Sequence, residues 1–478
     1  MSSKTKSKSK DQDEKIKKIK KVKKTKKQID LFESSEGGAD LEKEEIDDLN
    51  VPTVVEMPKI ESNIFETEGS IKFSTNLDYP RSEYGFHHFI HNNKNKTEKL
   101  SVFDGKKKVY LVFNRFDKNI DNHVESINNV SKKFFSNGKQ NYSEILDDDF
   151  YKLWETLTLF DIIDTSEDNF SSLHLGENTG SFIQTCIYFR DMYCKKNISK
   201  NDKYYNITTN PDDVGGKDHV KSIDESFQKF YKNRIIQQNY KDKKIDDKAS
   251  FITSNLSIDW VNLNIQEQEA YRQLISQITT CIKFQKKGGS FVCKFFETFT
   301  KTSLKIISIL MATYEKVQWY KPLTSDFVNS EKYVICTGFK FSEKDKEHKE
   351  ILKKMEDLLK KIYNDKTNKI VDIFIDYEIP KDLIISMIDL NVKLSNKQLK
   401  NIGEIISFVD KEIYSGDEYH DRKDEQIKGA KFWISVFLPE TETQNKNIKK
   451  ELLNIALNNS NKQITYLKKH LVHVENQN

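Results

Sequence analysis

SSLHLGENTGSFI, residues 171–183, joins a short apolar run to a helical pattern through a loop that carries Gly176 and Gly180. A strand, a glycine-bearing loop and a helix in that order open an α/β sheet of the kind that holds a nucleotide-like cofactor. The missing side chains let backbone approach the ligand, and the strand ends at the binding crevice. Glu177 lies in that loop, where a carboxylate can pair with the cationic end of a cofactor. Taken alone, two glycines near a strand end are more often ordinary loop chemistry than a cofactor loop.

Outward from this stretch, apolar strand-like runs alternate with helical patterns, which argues for a sheet covered by helices on both faces. FITSN (251–255) reads as a second strand and SFVCKFF (290–296) as a buried one. Between them, Leu274, Ile275, Ile278, Cys281 and Ile282 recur at helical spacing within 265–284, and Gly288 and Gly289 are expected to end that helix. A helix over 303–317 leads through QWYKP and a polar loop to a closing strand at 332–340.

The flanks read differently. Residues 1–27 hold thirteen lysines, and residues 33–48 hold eight acidic residues against Lys43 alone. Such blocks cannot offset chain entropy by burial, so 1–55 is expected to be disordered, a solubilising tail or a nucleic-acid arm. Residues 56–144 form an extension with a strand expected at 107–116, and YGFHHFIH (84–91) reads as an aromatic packing or RNA-contact segment. His87, His88 and His91 lack partners at metal-ligand spacing, and no metal is expected. The main domain occupies 145–342. Residues 343–478 read as mostly helical, with a strand at VDIFIDYEIP and an anchor in Phe432 and Trp433.

The 478 residues suffice for one large domain or two to three ordinary ones, and Lys+Arg (78) nearly cancels Asp+Glu (74). No apolar run suits a membrane span or a secretory signal, so an intracellular protein, cytoplasmic or nuclear, is expected. Five cysteines without CxxC spacing, Cys186, Cys194, Cys281, Cys293 and Cys336, all in core segments, fit a reducing compartment.

Three charged residues stand out. Lys294 sits between Cys293 and Phe295 in an apolar strand, where a buried ammonium is costly unless paired or functional; desolvation lowers its pKa toward general-base range. The bland alternative is a strand-end lysine reaching water. Taken singly, Lys152 in FYKLWE reads as an exposed helix charge and Glu331 as a strand-edge charge.

Together, FYKLWE (150–155), SLHLGENTGSFI (172–183), ITTNP (207–211), ITSNLSIDW (252–260) with NIQEQE (264–269), GGSFVCKFF (288–296) and KPLTSDFVNSEKYVICTGFK (321–340) resemble the FtsJ-like RNA 2′-O-methyltransferases, nearest the adrift-type cap enzymes. The resemblance implies a Rossmann-like class I methyltransferase sheet, S-adenosyl-L-methionine as cofactor, capped mRNA as substrate, and proteins of the capping apparatus as partners. It also implies a Lys-Asp-Lys-Glu tetrad, matched by Lys152, Lys294 and Glu331, with Lys294 as base. The tetrad's Asp falls on Asn255. Without that carboxylate, Lys294 is expected to lose charge stabilisation, so that its pKa drops. The same likeness assigns the cofactor to Gly176, Glu177, Gly180, Phe182, Asn210 and Asp242, and departs from the family at Thr179 and Ser181. An alternative is a degenerate domain that serves as an RNA-binding or partner-binding subunit. A dinucleotide oxidoreductase ranks below both, since the GxGxxG run is missing.

Overall fold

A computed structural model describes residues 46–79, 84–121, 123–136, 142, 144–195, 198–214, 222–241, 245, 248–256, 258, 260, 262–326 and 328–475. Residues 1–49 and 50–478 form two units, and the first is described only over 46–49.

The strands are β1 (Thr53–Glu56), β2 (Ile71–Ser74), β3 (Ser171–Leu175), β4 (Lys203–Ile207), β5 (Ile235–Gln238), β6 (Ala249–Ser254), β7 (Gln285–Phe295), β8 (Tyr314–Lys321), β9 (Lys332–Phe339) and β10 (Lys369–Ile373). The helices are α1 (Tyr84–Lys96), α2 (Ile127–Ser136), α3 (Asp149–Phe160), α4 (Ser181–Tyr193), α5 (Glu225–Phe230), α6 (Gln266–Glu269), α7 (Tyr271–Phe284), α8 (Lys301–Thr313), α9 (Lys346–Asn364), α10 (Lys381–Asp410), α11 (Asp417–Phe437) and α12 (Lys446–Glu475).

Eight strands form one sheet in the order β1-β8-β9-β7-β6-β3-β4-β5. From β7 to β5 neighbouring strands are parallel; β9 runs antiparallel to both β7 and β8, and β1 closes the far edge antiparallel to β8. The chain leaves β3 toward β4 on one side and returns to β6 on the other, so the sheet's switch point lies between β3 and β6. Ligands of open α/β sheets bind outside the strand carboxyl ends there.

Burial follows from the pleat. Leu173, Leu175, Ile252, Phe291, Cys293, Val334 and Cys336 join one apolar cluster with Leu274, Ile278 and Ile282 of α7 and Ile306 and Leu310 of α8. Alternate positions face the other way, where Ser172, His174 and Thr253 are joined by two 2.8 Å hydrogen bonds.

Four expectations need correction. Residues 53–55 are not part of a structureless tail, because Val54 and Val55 are buried in edge strand β1; residues 1–45 lie outside the described residues. The run at 107–116 forms a 3-10 helix, Val109–Phe113, with Val112 buried, and YGFHHFIH belongs to helix α1. Gly288 and Gly289 do not end a helix but lie inside β7, which starts at Gln285. A Cβ on Gly289 would stand 2.7 Å from the Ser250 carbonyl, so glycine there permits β6 and β7 to pair closely. Helix α8 stops at Thr313, where aromatic and β-branched residues carry the chain into β8.

The apolar cluster extends into the C-terminal helices through Ile351, Met355, Leu358 and Ile362 of α9 and Leu383, Met387 and Leu390 of α10. Trp433 of α11 is fully buried and donates from Nε1 to Glu155 of α3 at 2.9 Å. No helix among the described residues is long and apolar enough to cross a membrane.

Candidate active site

Gly176 ends β3 with φ +70°, and the Asn255 amide just past β6 donates to the Leu175 carbonyl at 2.8 Å. A Cβ on Gly176 would lie 2.2 Å from the Asn255 carbonyl oxygen and 2.5 Å from Nε2 of Gln277 in α7. Only glycine fits at this seam.

The next residue, Glu177, is buried, and neither carboxylate oxygen has a hydrogen-bond partner of normal geometry. Burial, then the nearby Asp147 and Asp149, push its carboxyl well above the ordinary range; the Phe182 backbone N–H opposes this weakly. Both amide atoms of Gln273 on α7 are likewise buried and unpartnered beside Gly176. Unsatisfied buried polar groups are costly, and two residues that carry them lie at the switch point.

The other assigned loop positions divide. Gly180 caps α4, but a Cβ on it would meet Ile223 at 2.7 Å, so it permits packing rather than ligand approach. The Phe182 ring is fully buried, 6.2 Å from that of Tyr333. Asn210 caps the turn after β4 by accepting from the Asp212 amide at 3.2 Å. Asp242 lies outside the described residues. Thr179 donates to Asp147 and ties the loop to the residues before α3.

Lys152, Asn255, Lys294 and Glu331 meet at the carboxyl edge of the sheet. Lys152 Nζ on α3 donates to both Glu331 oxygens at 2.9 and 3.0 Å. Lys294 Nζ on β7 donates to Asn255 Oδ1 at 2.9 Å and lies 3.3 Å from Glu331 Oε1. Glu331 precedes β9 and accepts from Tyr333 at 2.5 Å. The readings of Lys152 as an exposed charge, Glu331 as an edge charge and Lys294 as a lysine reaching water are therefore overturned. Their side chains keep only 11%, 5% and 11% exposure.

A fifth residue sits among them. Asp149, the first residue of α3, accepts from Lys152 through Oδ1 at 2.7 Å, and through Oδ2 from Lys294 at 3.1 Å and from Asn255 Nδ2 at 3.0 Å.

Residues 149–339 match the family model of FtsJ-like methyltransferases. They form an FtsJ-like methyltransferase domain. Similar curated proteins include cap-specific mRNA (nucleoside-2′-O-)-methyltransferase 2 of Drosophila melanogaster, 24% identical over 252 residues, covering 49% of this chain and 35% of that protein. Methyltransferase 1 of the same description is 25% identical over 288 residues in Caenorhabditis elegans (56% and 30% covered) and 40% identical over 77 residues in Danio rerio (16% and 9%). The chain thus spans about a third or less of these relatives' own length. Among solved structures, a SAM-dependent O-methyltransferase from Thermotoga maritima aligns with TM-score 0.26 at 11% identity, over 45% of this chain and 72% of that one.

The charges of the methyltransferase domain's cluster follow from its geometry. For Lys294, burial favours the neutral amine, but Asp149 and Glu331 outweigh it and hold the ammonium above its usual range. The expected drop of Lys294 is overturned, because position 149 supplies a carboxylate that position 255 lacks. Lys152 is raised against burial by Glu331 and Asp149. Glu331 is brought down to about 2, its burial outweighed by Lys152 and Lys294, and Asp149 is held far below the carboxylate range, its burial outweighed by the same two ammoniums. Two ammoniums and two carboxylates face each other, a balanced set in a site closed to most water.

Two further positioning residues escaped the sequence. Lys321, pulled down to about 7 by burial, donates to the carbonyls of Asp326, Asn329 and Glu331 at 3.0, 3.1 and 2.6 Å and so folds the loop that presents Glu331. Glu155, one turn beyond Lys152, fixes the 322–325 turn, and an acid next to Leu153 and Trp154 in FYKLWE was the signal that could have found it. The cysteines are free, and all are buried except Cys194, which is half-buried at the end of α4.

Proposed function

We propose that this domain methylates a ribose 2′-hydroxyl of RNA, at the capped 5′ end of mRNA, with S-adenosyl-L-methionine as donor and Lys294 as the group that takes the hydroxyl proton. The observation that carries the reading is the convergence of Lys152, Lys294 and Glu331 at the sheet's carboxyl edge, beside the Gly176 seam.

S-adenosyl-L-methionine fits the residues at the switch point. Its cationic end would meet Glu177, whose buried carboxyl oxygens have no hydrogen-bond partner of normal geometry, and its polar groups would reach the Gln273 amide. When bound, the cofactor supplies an electrophilic methyl group. Lys294 takes the proton from the hydroxyl oxygen in its neutral form, and Lys152 and Glu331 hold each other and keep the Lys294 amine directed out of β7. Lys294 is an ammonium at neutral pH, so its reactive fraction grows as pH rises toward its raised pKa. The rate should therefore climb on the alkaline side. The thirteen lysines of residues 1–27 supply positive charge suited to phosphate contact.

Transfer of labelled methyl groups to capped RNA, wild type against Lys294→Ala, tests the reading. A loss of about a hundredfold or more is expected on removing a proton acceptor, and equal labelling would end the assignment. Calorimetric titration with S-adenosyl-L-methionine separates the degenerate-subunit alternative, which requires a protein that neither methylates nor binds the cofactor.

A further inference from the structure

Position 255 carries an amide where the family carries a carboxylate, yet the cluster still holds two carboxylates and two ammoniums. The second carboxylate comes from Asp149. It enters from the first turn of α3, three residues before Lys152, and its oxygens divide the work: Oδ1 takes Lys152, while Oδ2 takes Lys294 and Asn255. Asn255 is complementary to that arrangement. Its Oδ1 accepts from Lys294 and its Nδ2 donates to Asp149, the one orientation of the amide that satisfies both neighbours. An aspartate at 255 would instead set a second carboxylate about 3 Å from the first, and two such groups do not ionise together.

We propose that Asp149 is the positioning carboxylate of this site: it aims the Lys294 amine in place of the acid missing at 255, and Asn255 is an amide because Asp149 is there. This rests on the methyltransferase reading for its consequence in catalysis, though not for the contact between the two side chains. The charged groups facing Lys294 are Asp149 and Lys152 from α3, Glu331 from the loop before β9, and Glu177 from the loop after β3; Lys321 of β8 stands behind Glu331. Among these, Asp149 and Glu331 favour its ammonium form. Losing Asp149 removes one of the two and leaves the amine freer to turn.

Methyl transfer to capped RNA is followed from neutral to alkaline pH for wild type, Asp149→Asn, Asn255→Asp and the double swap. Asp149→Asn is expected to lower kcat by about tenfold or more, with KM for RNA little changed. It also moves the alkaline rise to lower pH, because Lys294 deprotonates more readily. Asn255→Asp alone brings no gain, and in the Asp149→Asn background it restores part of the lost rate. An Asp149→Asn enzyme with wild-type kcat and an unmoved pH profile overturns the proposal. So does a folded double swap no better than Asp149→Asn, the comparison that also serves if the single variant proves unstable.

A second readout does not need activity. In protein labelled with ¹⁵N-lysine, with Lys294→Arg to assign the signal, the Lys294 ammonium is titrated directly. Its midpoint should fall by about one pH unit or more in Asp149→Asn, and an unchanged midpoint overturns the proposal. If wild type methylates no RNA while the midpoint moves, the functional reading fails and the role of Asp149 in holding Lys294 stands.

Discussion

Lys152, Lys294 and Glu331 are separated by up to 179 residues and still meet within hydrogen-bonding distance. They were legible because each sits in a short segment whose residues all match in family order. Asp149 was not legible: a run of three aspartates at the start of a helix reads as acids placed at its positive end, and only the approach of β7 turns one of them into a partner for Lys294. Glu177 stands between these cases, visible in the loop but given weight by its isolation. Because burial raises its pKa, the free protein keeps Glu177 protonated above its ordinary 4.5. A cationic ligand then requires it to release that proton, so affinity for S-adenosyl-L-methionine should rise with pH through the raised pKa and level off above it. Glu177→Gln should lower affinity about tenfold on the plateau, the scale of one charge-assisted contact, and flatten the pH dependence. Calorimetric titrations of both proteins across pH check this; identical, pH-independent affinities would remove Glu177 from the cofactor site.

At the scale of elements, the central strands were legible because parallel strands covered on both faces read as continuous apolar runs. The edge strands β1, β2 and β5, four residues each, give too short a pattern to register. VYLVF at 109–113 has strand-like composition, yet it folds as a 3-10 helix that buries Val112 and packs against helices α10 and α11. Helix α3 joins site to scaffold. Its Lys152 faces the cluster, while Glu155 one turn later accepts from Tyr320 Oη, the Leu323 and Thr324 amides, the Thr324 hydroxyl and Trp433 Nε1, at 2.5 to 2.9 Å. An amide in that position turns two hydrogens toward groups that are themselves donors. Glu155→Gln should therefore cost about 2–4 kcal/mol in urea unfolding and slow methyl transfer as well, because the 322–325 turn leads into the loop of Glu331. Unchanged stability would mean that these donors have other acceptors.

Across the whole molecule, the family match ends at residue 339 but the core does not. Val55, Met57 and Ile64 before it, and seven side chains of α9 and α10 after it, belong to the same cluster as Leu173, Ile252 and Phe291. Lys305 of α8 also forms a buried 2.9 Å ion pair with Asp372 of β10 and donates to the Phe374 carbonyl at 2.9 Å. Composition hid this continuity, since α9 opens in a heavily charged stretch whose apolar residues are spaced along one face. Uncovering seven buried Ile, Leu and Met side chains costs on the order of 10 kcal/mol, which is comparable with the entire stability of an ordinary domain. Residues 149–339 expressed alone should accordingly aggregate or melt without a cooperative transition, whereas residues 50–478 should unfold in a single one. Urea denaturation of the two fragments decides the matter. A cooperative transition in 149–339 at the midpoint of the longer chain would mean that the C-terminal helices rest on a core already complete without them.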